Sequence, residues 1–140
     1  MQAIDDAVSR YCAASERCDI EAMLDTLAAD PELVSPVSGR MVFRGTDDLR
    51  ILLGAVYGSF SSLSWQTAMR DGDTCVVLGR AKLGPITIDD AMVFELAPDG
   101  RIARIRPHLR PWFGLTAFAL TLVPKLIGHP RVLLHALRNA

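Results

Sequence analysis

The chain has 140 residues, half of them hydrophobic and 22% charged, with a formal net charge of −1. That is enough to bury one core without disulfides or structural metal, and too apolar for a disordered chain. The charge is uneven: residues 1–100 carry all 16 acids and 8 of the 15 basic residues, while 101–140 carry the other 7 basic residues and no acid.

Residues 1–20 contain Asp5, Asp6, Glu16 and Asp19 and lack a basic segment followed by an apolar run, so no secretory signal is read there and a cytoplasmic location is expected. Ile4, Val8, Tyr11 and Cys12 recur at helical spacing over residues 2–17. A second helical run through Ile20, Met23, Leu24 and Leu27 starts at the candidate N-cap Asp19 and ends at Asp30-Pro31. An extended stretch, Leu33 to Val37, turns at Ser38-Gly39 and returns over Met41 to Phe43. Thr46 is the candidate cap of a third helix, with Asp47 and Asp48 in its first turn and an apolar face of Leu49, Leu52, Leu53, Val56 and Phe60.

From residue 61 the period changes from 3.6 to 2, with turns at Asp71-Gly72-Asp73, Gly84-Pro85 and Pro98-Asp99-Gly100. Four antiparallel strands follow, roughly 62–70, 74–83, 86–96 and 101–109. Three helices and a meander describe an α+β domain whose helices cover one face of a curved sheet. Beyond residue 110 lies a helical tail, 111–140, apolar and basic together: Trp112 to Val123 is uncharged, and a second apolar run spans Val132 to Leu137. Twelve uncharged residues fall short of the roughly 20 that a membrane span needs.

Cys12, Cys18 and Cys75 lack metal or CxxC spacing and read as buried, reduced thiols. His108, His129 and His135 lack ligand spacing, so no metal and no cofactor is expected. The basic residues are mixed with aliphatic ones rather than with stacking aromatics, which argues against nucleic acid.

The opening RYCAASERCDIEAMLDTLAADPELVSPVSG and the later DDAMVFELAPDGRIARIRPHLRP, in this order and spacing, resemble the nuclear transport factor 2-like superfamily, which includes ketosteroid isomerases, SnoaL-like polyketide cyclases and limonene epoxide hydrolases. The resemblance covers residues 4–110 and implies a cone-shaped sheet wrapped by helices around a cavity. For a ketosteroid isomerase it implies a tyrosine on the first helix, an aspartate base before a proline on the first strand and a second acid in the penultimate strand. Tyr11 matches the tyrosine, Ser35 stands at the base, and Met92 stands at the second acid when the strand is aligned without a gap through Gly100. The last-strand aspartates implied by the hydrolases and cyclases fall near Pro107 and Arg110. A lone serine hydroxyl does not shuttle protons as a carboxylate does, and a thioether donates no hydrogen bond, so the isomerase machinery is not expected in its usual places.

Asp90, two residues before Met92 and on the same face of its strand, is the candidate displaced acid, against a solvated strand end as the ordinary alternative. Tyr11 is its candidate catalytic partner, against a plain core tyrosine. Asp89, Arg80 and Lys82 are assigned to the outer face. Trp65, Met69, Met92 and Phe94 are the candidate cavity lining, with Tyr57 and Phe60 closing one end and Ser35 and Pro107 as further candidate ligand-binding residues.

The expected function is binding of a small hydrophobic molecule, of polyketide, terpenoid or sterol kind, by a binding protein or divergent enzyme. The alternatives are an isomerase, cyclase or hydrolase using Tyr11 and Asp90, and a non-enzymatic interaction or membrane-surface module. The tail needs a cover: the cone mouth, a second subunit in a homodimer, or the inner face of an anionic membrane with Lys125, Arg131 and Arg138 near the headgroups.

Overall fold

The computed structural model describes residues 6–139, so the helical spacing at Ile4 lies outside the described residues. Helix α1 (Ala7–Glu16) starts where the Asp6 carboxylate accepts from the Ser9 amide at 2.8 Å, and Asp19 caps α2 (Ile20–Leu24) through the Ala22 amide at 3.2 Å. Helix α3 (Thr46–Tyr57) departs from expectation at its start. Gly45, at φ +86°, is its N-cap, a backbone shape that favours glycine, and Thr46 is already helical. The helix also stops at Tyr57, so Phe60 extends its apolar face from the following loop. Of the three free cysteines, Cys12 and Cys75 are buried, but Cys18 sits exposed in the α1–α2 turn at φ 55°.

The strands are β1 (Leu27–Val34), β2 (Val42–Arg44), β3 (Ser62–Asp71), β4 (Thr74–Leu83), β5 (Ile86–Leu96), β6 (Ile102–Arg106) and β7 (Leu109–Arg110). They form one curved, unclosed sheet in the order β2-β1-β6-β5-β4-β3, with β7 paired to β5. The expected meander is present, since β3–β4, β4–β5 and β5–β6 pair antiparallel in succession. β1 joins it parallel to β6.

Two boundaries differ from the sequence expectation. Leu27 opens β1 rather than closing α2, and Asp30-Pro31 lies inside that strand. The ladder to β6 is irregular between Leu27 and Glu32, so the missing proline N–H leaves no regular ladder bond unmade there. The stretch 101–109 is not one strand either. Pro107 cannot donate to a ladder, β6 ends at Arg106, and β7 pairs separately, Leu109 opposite Asp90 and Arg110 opposite Asp89.

The helices α1–α3 close one face of the sheet over a core that includes Tyr11, Met23, Leu49, Leu52, Phe94 and Ile102. The tail forms α4 (Trp112–Ile127) and α5 (Pro130–Arg138), docked on the body by burial of Phe118, Leu126, Val132 and Ala136. Three polar contacts fix the docking: Lys125 Nζ to Ser59 Oγ at 2.6 Å, His135 Nδ1 with Asp48 Oδ2 at 2.9 Å, and Asn139 Nδ2 to the Val42 carbonyl at 3.0 Å. Leu126→Ala should therefore lower stability by about 2–5 kcal/mol, read from denaturant unfolding, whereas a tail that stood free would leave the midpoint unchanged.

Trp65 pairs directly with Gly79, and its indole N–H donates to Ser15 Oγ at 2.9 Å. A methyl at Gly79 would lie 2.3 Å from the Trp65 ring, so the bare backbone is what allows the ring to lie across β4. Gly79→Ala should displace the indole at a cost of about 1–3 kcal/mol, with a matching change in Trp65 fluorescence.

Candidate functional site

Between the inner face of the sheet, α3 and α4 lies an apolar cavity, partly open, with about 150 Å³ available to the centre of a water-sized sphere. Helix α3 supplies Leu52, Leu53, Val56 and Tyr57; the sheet supplies Leu33, Phe43, Leu63, Trp65, Ala81, Ile88 and Met92. Ser35, Pro36, Val37 and Met41 line it from the β1–β2 connection, and Pro107 and Leu109 from beside β7. One face of α4, with Phe118, Ala119, Leu122 and Leu126, covers it, and Phe60 stacks on Phe118 with ring centroids 6.0 Å apart.

The polar groups of this lining are few, and each has a distinct setting. Ser35 Oγ accepts from the amides of Val37 at 3.2 Å and Ser38 at 3.4 Å, so it braces the turn and has no base beside it. The Tyr57 hydroxyl lies 3.1 Å from that of Tyr11, with both residues buried. Burial pushes both phenols upward, so both stay neutral throughout the physiological range.

Asp89 and Asp90 are neighbours on β5 with opposite fates. Asp89 faces outward, where Arg80 Nε donates to it at 2.8 Å and Arg110 approaches at 3.4 Å, and the Arg80 hydrogen bond holds its carboxyl below the ordinary value. Asp90 is half-buried and shares the cavity wall with Ile88, Met92 and Leu109. Desolvation pushes its carboxyl up to about 7, opposed only by a hydrogen bond from the His108 amide at 3.2 Å. A carboxyl titrating near neutrality inside an apolar cavity can give or take a proton at working pH.

Of the residues picked from sequence, Ser35, Tyr57, Phe60, Trp65, Met92, Pro107 and Asp90 line the cavity. Three do not. Tyr11 lies one layer behind, touching the cavity only through Tyr57, and Phe94 is wholly buried edge-on to Tyr11 with centroids 5.2 Å apart. Met69 is 54% exposed on the other face of β3. A bulge at Gln66, where Trp65 pairs with Gly79 but Thr67 with Leu78, inverts the alternation that made Trp65 and Met69 look like neighbours. The ungapped count that placed the second acid at Met92 also crosses a register shift between Glu95 and Leu96, and the carboxyl that reaches the cavity is two residues earlier. The cover supplied by α4 had one signal in the sequence, a tail too apolar to stand in water.

The SnoaL-like domain family matches residues 8–105, and the chain belongs to it. An uncharacterised protein from Silicibacter pomeroyi DSS-3 with a cystatin-like fold shares the fold at TM-score 0.86 and 19% identity, over 96% of this chain and 94% of that one. A steroid delta-isomerase from Pseudomonas aeruginosa superposes at TM-score 0.79 and 20% identity, over 89% and 92%. A putative SnoaL-like polyketide cyclase from Jannaschia sp. CCS1 superposes at 0.66 and 16%, over 83% and 88%. No curated protein matches the chain by sequence.

Because the folded Asp90 titrates above an unfolded aspartate, near 3.9, the native state holds the extra proton between the two values. Its contribution to stability is complete below about pH 4 and is lost as pH rises through about 7. Asp90→Asn should leave the thermal midpoint nearly unchanged at about pH 4, and raise it progressively relative to wild type up to pH 8. A difference from wild type that stays constant across that range would place the carboxyl in water.

Proposed function

We propose that the cavity binds a small hydrophobic molecule carrying an oxygen function, and that Asp90 moves a proton on it. The observation that carries this reading is the placement of a single carboxyl, pushed up to about 7, in an otherwise apolar chamber beside the Tyr57–Tyr11 hydroxyl pair. Size narrows the ligand. A partly open apolar chamber with about 150 Å³ available to the centre of a water-sized sphere suits a compact ligand such as a monoterpenoid or a short polyketide ring.

Tyr57 donates to the ligand oxygen, and the Asp90 carboxylate takes a proton from the adjacent carbon as the electron pair shifts onto that oxygen. Asp90 then returns the proton at the same or a neighbouring carbon, which leaves the carboxyl as it began. Ser35 is not assigned the proton transfer, since its oxygen accepts from two backbone amides and no base stands beside it to take its own proton. The isomerase and cyclase among the structural neighbours are consistent with this class of chemistry.

A monoterpenoid ketone should raise the thermal midpoint more than the hydrocarbon of the same skeleton, and Met92→Trp, which fills the chamber, should abolish both shifts. In D2O the bound ketone should exchange its α-protons, followed by NMR, and Asp90→Asn should slow that exchange by about 10²–10⁴-fold. Stabilisation by the ketone without Asp90-dependent exchange would leave a binding protein. Absence of both effects across ketones of this size would overturn the reading.

A further inference from the structure

We propose that the outer face of α4 and α5 docks on the surface of an anionic phospholipid bilayer. Helix α4 is apolar on two sides. Its inner side, through Phe118 and Leu126, covers the cavity, yet Phe113, Leu120 and Ile127, seven residues apart and therefore in one line along the helix, face outward. Trp112 is 80% exposed at its start, Leu120 70% and Ile127 64%, and Leu134 and Leu137 are exposed on α5. A helix that is apolar all round is ordinarily covered on every side, and here one side is in solvent.

The charge around this face selects the cover. Residues 111–139 contain no acid. Arg131 and Arg138 flank Leu134, one turn before and one turn after it, and both are exposed. Arg110 stands at the foot of α4 with its side chain 81% exposed, although it also pairs with Asp89 at 3.4 Å. Lys125, expected at the headgroups, is instead turned to the body, where it donates to Ser59. An apolar stripe with an exposed tryptophan, on a tail segment that carries exposed arginines and no acid, matches the interface of an anionic bilayer. A twofold dimer through the same face would set these arginines against their own copies with no acid from either tail between them.

The docking is flat rather than spanning. No single described helix is long and apolar enough to cross, and the 16 residues of α4 reach about 24 Å against roughly 30 Å of hydrocarbon. By length and composition α4 and α5 could cross only together as a pair bent by 115°, and Phe118, Leu126, Val132 and Ala136 tie both helices to the body instead. Docking does not depend on what the cavity holds.

The test mixes the full-length chain with vesicles of phosphatidylcholine, with and without phosphatidylglycerol, and measures sedimentation. The chain should sediment with the anionic vesicles only and be released by salt, with a blue shift of Trp112 emission that is absent in Trp112→Phe. Arg131→Gln with Arg138→Gln should weaken partitioning roughly thirtyfold and flatten its salt dependence. Leu120→Gln with Ile127→Gln should weaken it at least about tenfold while the unfolding midpoint, a check on folding, stays in place. The proposal is overturned if the chain stays in the supernatant with anionic vesicles, or if the α4 pair binds as wild type does. It is equally overturned if light scattering finds a dimer that the α4 pair converts to monomer, which assigns the face to a second copy.

Discussion

Consecutive residues of a strand point to opposite faces, and on β5 that rule separates two carboxylates into water and into oil. Asp89, on the outside, is held ionised by Arg80 and Arg110; Asp90, on the inside, is driven toward the neutral acid by the apolar wall around it. Everything that fixes β5 fixes this division. The strand pairs with β4, β6 and β7, and one row across the sheet runs Trp65, Gly79, Asp90, Leu109. A slip of one residue in any of these ladders would exchange the two acids, burying the one with arginine partners and exposing the other. The parallel closure of β1 on β6 and the separate pairing of β7 guard the register from the far side.

The chamber exists because a curved sheet and one helix cannot meet along their whole length. Helix α3 closes on the sheet with Leu52, Leu53 and Tyr57, and beyond that contact the two diverge. Helix α4 bridges the gap, held by Phe60 stacking on Phe118 and by Lys125 reaching Ser59. A helix in that place needs one apolar side for the cavity. The second apolar side is a separate property, since covering the chamber asks nothing of Phe113, Leu120 or Ile127.

The elements were legible in the sequence wherever one period ran unbroken. The helical face of Leu49, Leu52 and Leu53 and the strict alternation of Val77, Gly79 and Ala81 against Arg80 and Lys82 both sit as their spacing implies. Legibility failed where a single residue was inserted or a donor was missing. Gln66 shifts the phase of β3 and sends Met69 outward; the irregular β1–β6 ladder admits Pro31 into β1; Pro107 splits the last strand in two. No periodic reading carries such local events, because a bulge changes register without changing composition. For the site, residue type told which groups were chemically able, and Asp90 was among them. Its environment came only from the fold, since two adjacent aspartates are identical in sequence and the neighbours that separate them lie on β4, β7 and α4.

The tyrosine pair sets the polarity of the chamber. Each phenol carries one hydrogen, and the two oxygens share a single 3.1 Å hydrogen bond. Tyr11 is sealed in the core, with Tyr57 as the acceptor within its reach, so when Tyr57 donates to Tyr11 the hydrogen of Tyr11 is stranded in apolar surroundings. When Tyr11 donates instead, its hydrogen is satisfied and that of Tyr57 is free for the cavity, where a ligand oxygen can receive it. The second arrangement is the one a bound oxygen function completes. Tyr11 thereby decides which of the two hydroxyl hydrogens is left over, and the chamber wall carries one carboxyl and one phenol.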